Sequence, residues 1–364
     1  MRLISYRAPD DGPDVAARVG ILLHGTPGAN PASLAGARVV AIADLAGPAA
    51  GLAALDPATA ALDLRGLLRA DPGLRGVRAA FSAGVAAGAA TLALSSVRLA
   101  APIPDPGKIV CVGQNYAAHI REQGAEMPER PMLFAKFANA IVADGEPVVR
   151  HAETHALDLE TELAVVVGRR MRRVAAEDAL GHVAGYTVAN DISARDLQGS
   201  RPALQPGARG DGQWLRAKGS DTFCPLGPAL VTPDEIPDPG HLRLRSWRVP
   251  AAGVDAGTHA WIDAGIAVAM QDANTDDMVF DVAHLLAFVS DVITLEPGDV
   301  VLTGTPSGVG VFRRPPVFLQ PGDIVVVEVE GIGRLTNPIV DADGNAPAGS
   351  LAARMLAAAR PRIG

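Results

Sequence analysis

Apolar and polar positions alternate along residues 157–168, which read Leu-Asp-Leu-Glu-Thr-Glu-Leu-Ala-Val-Val-Val-Gly. The second half, with Val165, Val166 and Val167 stopped by Gly168, predicts a strand. Side chains on a strand alternate between its faces. Asp158, Glu160 and Glu162 therefore share one face, and Leu157, Leu159, Thr161 and Leu163 the other. Carboxylates held close together repel and are driven toward their protonated forms. A divalent cation reverses that penalty. A solvated face on an edge strand accounts for the pattern equally well, and this stretch alone leaves both readings open.

Further elements follow from the same patterning. Short apolar runs at 19–23 and 39–42 predict strands, and 63–68 predicts a helix. Nothing in this Ala/Gly/Leu-rich part suggests chemistry, and His24, beside Gly25, reads as a turn residue. Ala101-Pro-Ile-Pro-Asp-Pro-Gly107 is a proline-rich joint that suits a domain boundary. The expected division is a small α/β domain at 1–103, a main domain at 104–342 and a tail at 343–364. The tail begins loosely and ends in an Ala-rich helix.

Within the main domain, 108–113 predicts a short buried strand. It leads into a short helix that Asn115 can cap and Gly124 can end. His119 and Glu122 lie three apart and share a face of that helix. A carboxylate beside an imidazole raises its basicity and orients its ring, which suits water activation. Taken alone, such a pair reads first as an ordinary exposed-helix pair. Residues 186–188 predict a strand with Asn190 and Asp191 at its end, where a carboxylate can project into a cleft. Arg195 could pair with Asp196 or with a substrate carboxylate. A Gly/Pro-rich loop spans 199–212, and Lys218 follows between Ala217 and Gly219 in a partly apolar neighbourhood. Leu295-Glu-Pro-Gly-Asp299 and Leu319-Gln-Pro-Gly-Asp323 are similar turns of type II character, feeding strands at 300–303 and 324–329.

Composition narrows the classes. A chain of 364 residues suggests two domains, or one large domain with an appendage. A net charge of −8 argues against nucleic acid or an anionic membrane as partner. The two cysteines, Cys111 and Cys224, form no Cys-x-x-Cys pair and indicate neither a disulfide framework nor zinc. Residues 79–97 are uncharged but rich in Ala, Gly and Ser, and read as a helix and its flanks rather than a membrane span. With no apolar core in the first residues to mark a signal peptide, the expected location is cytoplasmic. The Gly-rich stretch 304–310 lacks the Gly-Lys-Ser/Thr of a phosphate loop, and no Gly-x-Ser-x-Gly occurs.

Five phrases in order carry a resemblance. They are Lys108-Ile-Val-Cys-Val-Gly-Gln-Asn-Tyr-Ala-Ala-His119, the acidic stretch 157–168, Gly185-Tyr-Thr-Val-Ala-Asn-Asp-Ile-Ser-Ala-Arg-Asp-Leu-Gln198, Lys218-Gly-Ser-Asp-Thr-Phe223 and Leu302-Thr-Gly-Thr-Pro-Ser-Gly-Val309. Together they resemble the fumarylacetoacetate hydrolase superfamily over about 104–340. The resemblance implies an α+β, β-rich fold whose catalytic domain is a mixed β-sandwich roll, in a homodimer. It implies that Glu160, Glu162 and Asp191 hold Mg²⁺ or Mn²⁺, and an oxygen-only ligand set favours such hard cations over zinc. It also implies catalytic roles for His119, Glu122 and Lys218, and substrate contacts from Gln114, Arg195 and Thr305. The small-molecule substrate is an oxo acid. The favoured reaction is hydrolytic C–C cleavage of an acylpyruvate-like or β-diketo acid, with a metal-stabilised enolate as leaving group. A decarboxylase or isomerase acting on a 2-oxo or 2-hydroxydienedioate is the alternative, and a non-catalytic metal-binding scaffold a third reading. Two stretches depart from the family pattern: the loop at 199–212 and an insertion between Trp247 and Gln271, either of which could reshape a pocket mouth or a subunit contact.

Overall fold

In the computed structural model, which describes residues 1–12, 15–23, 36–45, 55–199, 212–251, 261–262 and 265–359, Thr161–Val167 runs through the middle of a 12-stranded sheet. It pairs antiparallel with Val183–Asn190 on one side and Val300–Leu302 on the other. A strand held on both edges and covered on both faces needs no polar side, and all seven of its residues are buried. The solvated edge strand is thereby excluded.

The same sheet extends from Met132–Lys136 and Ile109–Gly113 at one end, through Cys224–Val231, to the N-terminal strands Arg2–Arg7, Arg18–Leu23, Arg38–Ala41 and Leu92–Ala93. The N-terminal strands thus continue the sheet that carries the acidic stretch, with Leu3 opposite Leu230. A second sheet has five strands, ordered Val268–Asn274, Arg243–Val249, Ile324–Val329, Gly333–Val340 and Val148–Val149. Period-two alternation gives it two apolar faces. Val325, Val327 and Val329 join the main core against the large sheet, beside Leu163, Val165 and Leu226. Ile324 and Val326 face the other way and pack with Trp247, Trp261, Leu351 and Ala352. The fold is α+β and strand-rich, with facing sheets and no closed barrel.

The C-terminal helix, Leu351–Ala359, covers that outer face. The described part of the insertion is there too, since Trp261 is buried beneath the helix. His24 and residues 200–211 lie outside the described residues. No described helix is long and apolar enough to cross a membrane, and 79–97 divides between the end of helix Arg75–Ala86 and the short strand Leu92–Ala93. Helix Leu64–Ala70 is capped by the Asp63 carboxylate, which accepts from Gly66 N at 2.7 Å.

The two Pro-Gly turns share more than their sequence. Gly298 and Gly322 adopt φ of 86° and 98°, as a type II geometry requires. The buried Asp299 and Asp323 that follow each accept from the residue three back, Glu296 N and Gln320 N, both at 2.8 Å. Each also meets a cation at 2.6 Å, Lys108 and Arg248 respectively.

Close packing of the central sheet gives a direct test. A Cβ on Gly185 would lie 2.4 Å from the Val231 carbonyl oxygen across the strand pair. Gly185→Ala should therefore destabilise the protein by about 1–3 kcal/mol through forced strand displacement. The measurement is urea unfolding, with the midpoint lowered and the slope unchanged. An unchanged midpoint would contradict the close approach.

Candidate active site

Strand register assembles the acidic cluster. Thr161 lies opposite Asn190 in the antiparallel pair. The residue before Thr161 and the residue after Asn190 are therefore neighbours. Asp191 N donates to the Glu160 carbonyl at 2.8 Å, and Glu160 N donates to Asn190 Oδ1 at 3.0 Å. Glu162, two residues beyond Glu160, falls on the same face. Carboxylate oxygens of Glu160, Glu162 and Asp191 come within 4.8 Å of one another, and all three residues are buried.

Asp158 does not join them, contrary to the uninterrupted alternation expected from sequence. The chain breaks strand pairing at 159–160, and Leu157–Asp158 pairs instead with Ser193–Ala194. The Asp158 carboxylate accepts from Leu159 N, Gly310 N and Val311 N at 2.9, 2.8 and 3.0 Å. It also pairs with Arg195 Nε at 2.9 Å. Arg195 is thus neither paired with Asp196 nor free for a substrate carboxylate. Its remaining nitrogens reach Gln198 at 3.0 Å and Glu160 at 2.6 Å, while Asp196 bonds to Thr154 and to His155 N.

Lys218, on helix Trp214–Gly219, is buried, and its Nζ lies 2.8 Å from both Glu160 and Asp191. Burial works against the Lys218 ammonium, but Asp191 and Glu160 outweigh it and raise its pKa. Burial likewise opposes ionisation of Glu160, yet Lys218 and Arg195 hold that carboxyl well below the usual range. Glu162 has no ion pair among the described residues and accepts from Gly304 N at 2.7 Å. Burial and the charges of Asp191 and Glu160 push its pKa well above the ordinary value. The cluster thus has oxygen-only donors and one carboxylate, Glu162, that Lys218 and Gly304 N only partly offset and that has no ion pair of its own among the described residues. Both features fit a hard divalent cation.

Across the cavity stands helix Ala117–Gln123. Its N-cap is Tyr116, not Asn115. Asn115 is used to join two loops: its side chain donates to Phe280 O and Thr303 O at 3.0 and 2.8 Å and accepts from Phe280 N at 2.9 Å. The first turn is served by Asp277, which accepts from Ala118 N at 2.9 Å. Gly124 ends the helix with φ 66°, as expected. His119 is buried rather than an exposed-helix histidine, and its Nδ1 lies 2.6 Å from Glu122 Oε1. Facing a carboxylate, Nδ1 carries the proton, and Nε2 is the basic nitrogen. Glu122 is fixed in turn by Gly308 N, 3.0 Å from Oε2.

A cavity of about 190 Å³ is lined by His119, Glu160, Arg195, Lys218, Thr305 and Gln114 among others, while Glu122, Glu162 and Asp191 are not among its lining residues. No described residue of the insertion lines it. Gln114 sits at φ 52°, a left-handed conformation that costs a non-glycine residue energy and is found at functional sites more than elsewhere. The Thr305 hydroxyl is held between Gln271 Nε2 and the Thr161 carbonyl, at 2.7 and 3.0 Å.

Lys136 is the residue that sequence reasoning missed. It is buried, and its Nζ lies 2.7 Å from Asp191 Oδ1, with the Ile192, Lys218 and Phe223 carbonyls at 3.1, 2.5 and 2.7 Å. Composition held the signal. Only three of the chain's 32 basic residues are lysines. All three, Lys108, Lys136 and Lys218, pair with buried carboxylates.

The strand-rich mixed fold is shared with solved members of one enzyme superfamily. The chain belongs to the fumarylacetoacetate hydrolase family: residues 108–340 match the model of the fumarylacetoacetate (FAA) hydrolase C-terminal domain. Mitochondrial oxaloacetate tautomerases of Bos taurus and Homo sapiens are each 46% identical over 246 residues, covering 68% of this chain and 70% of theirs. A 5-carboxymethyl-2-hydroxymuconate delta-isomerase from Mycobacterium smegmatis superposes with a TM-score of 0.63 at 32% identity, over 94% of this chain and 100% of its own. The fumarylacetoacetate hydrolase of Exiguobacterium antarcticum gives 0.67 at 31% identity, over 94% and 99%. Members of the family typically bind a divalent metal, and the buried triad is where this chain could hold one.

Proposed function

We propose that the chain is a tautomerase of 2-oxo acids, moving a proton between C3 and solvent and so interconverting keto and enol forms. One observation carries this reading: His119, held by Glu122, and the buried Lys218 ammonium line the same cavity. A tautomerase needs a base for the C3 proton and positive charge for the oxygen that becomes negative. His119 Nε2 takes the proton, and Glu122 stabilises the imidazolium that results. Lys218 offsets the charge on the enolate oxygen, which takes a proton from solvent to give the enol, while the imidazolium returns the C3 proton to solvent. Gln114 orients the acid, and Thr305, its hydroxyl held by Gln271 and Thr161, shapes the wall beside it. Mg²⁺ or Mn²⁺ held by Glu160, Glu162 and Asp191 would add Lewis-acid polarisation of the oxo acid. The tautomerase and isomerase names of the relatives support proton transfer over hydrolysis as the first reading. Hydrolytic cleavage of an acylpyruvate is the second, favoured by likeness to the Exiguobacterium hydrolase. The same His119 would then deprotonate water.

The two separate in one experiment. Oxaloacetate and acetylpyruvate are each incubated with enzyme and Mg²⁺ in D₂O and followed by proton NMR. The expected result is enzyme-dependent C3 exchange and enol loss with no cleaved acid. Release of acetate or CO₂ at the rate of enol loss would overturn the tautomerase reading.

A further inference from the structure

The cavity has two unlike halves. Its buried part holds Glu160, Arg195 and Lys218, and the less buried outer part is walled by Met132, Phe134, Trp214 and Phe312, with the Phe134 ring 5.0 Å from Lys218 Nζ where the two meet. Phe134 and Trp214 pack edge to face with ring centroids 5.7 Å apart, and Phe312 meets His119 in the same manner at 5.9 Å. Met132 and Trp214 remain 38% and 39% exposed although both line the cavity. Large apolar side chains left open to water at a binding cavity gain free energy when a ligand covers them. The cations give the complementary constraint. Arg195 is committed to Asp158, Glu160 and Gln198, Lys218 to Glu160 and Asp191, and His119 to Glu122. Among the described lining residues, no uncommitted cation awaits a second substrate carboxylate. A carboxylate placed against that wall would lose hydration without gaining a cationic partner among the described lining residues.

We propose that this outer half is a hydrophobic subsite, and that the preferred 2-oxo acid carries an apolar, aryl-sized substituent on C3 rather than a second carboxylate. The inference rests on the oxo-acid reading of the site and refines its substrate class. Trp214 is the specificity-determining residue, placed by its short helix at the mouth and braced by Phe134.

Inert oxamates test it without turnover. N-phenyloxamate presents a phenyl group where the C3 substituent would lie, and N-oxalylglycine presents a carboxylate. Both are titrated calorimetrically into the Mg²⁺-loaded protein. Wild type should bind N-phenyloxamate at least about tenfold more tightly, the scale of one good apolar contact. Trp214→Ala should erase most of that margin while changing N-oxalylglycine affinity less than about twofold, and Trp214→Phe should retain most of it. Tighter binding of N-oxalylglycine to wild type, or an equal loss for both ligands in Trp214→Ala, would overturn the subsite alone. Failure of wild type to bind either ligand would overturn the oxo-acid reading and the subsite with it.

Discussion

Alanine at position 119 should slow enol–keto conversion by about two to four orders of magnitude, the usual cost of losing a positioned general base. His119 is buried in the cavity wall, with Nδ1 held by Glu122 and Glu122 held by Gly308 N. That chain fixes both the tautomer and the direction of Nε2. Glu122→Gln should therefore fall between wild type and His119→Ala, because the imidazole keeps a hydrogen-bond partner but loses its counter-charge. The measurement is enol loss by ultraviolet absorbance, with C3 exchange as a second readout. Mn²⁺ affinity should change little in either variant, since neither residue belongs to the carboxylate triad. Full activity in His119→Ala would remove the residue from the chemistry.

The second large effect concerns the triad. Asp191→Ala should lower Mn²⁺ affinity by about 100-fold or more, at or beyond the range seen when even outer-shell partners of a metal are lost. It should also cost stability, because Asp191 is the shared counter-charge of Lys136 and Lys218. An unpaired buried ammonium is expensive. Glu162→Gln separates the two consequences. Glu162 has no cation partner among the described residues and is already pushed toward its neutral form. A neutral amide of the same shape should then leave thermal stability without added metal unchanged or higher, while Mn²⁺ affinity falls. Calorimetry and thermal melts of both variants decide this. Unchanged Mn²⁺ binding in both would sink the metal assignment.

How much of this could be read beforehand depended on distance along the chain. Local signals were legible. A helix beginning near Asp63, Gly124 ending another, and the twin Pro-Gly turns each depend on a few neighbouring residues, and the structure has them, with Asp63 as the cap of its helix rather than its first residue. The pairing of His119 with Glu122 was legible for the same reason. That Glu160, Glu162 and Asp191 meet required the resemblance, because the antiparallel register of Thr161 against Asn190 is set by tertiary pairing. The partner of Arg195 was not legible. Asp158 lies 37 residues away, and the break at 159–160 turns it from the triad toward Arg195 and Gly310. Asn115 misled because capping residues also serve as loop bridges, and a loop brought in from 280 claimed it. Lys136 was not singled out, because nothing within a few residues of it marks a partner; its carboxylate, Asp191, lies far along the chain. Its scarcity as a lysine in an arginine-rich chain was the overlooked clue.

The shared sheet sets a timetable for synthesis. Strand Arg2–Arg7 can pair early with Arg18–Leu23 and with Arg98–Ala100, but its Arg2–Leu3 end must wait for Val231 and Leu230. At about 5–20 residues per second, that end stays without its final neighbour for roughly 10–45 s after it leaves the ribosome. Nascent chains stalled before residue 224 should therefore be more readily captured by chaperones and digested by protease than chains stalled well beyond 231. The site itself finishes later still: Lys218, the last of its charged groups, emerges just before Cys224–Val231, but Val300–Leu302 must join the central strand to Ile109–Gly113, and Gly304, Thr305 and Gly308 follow it.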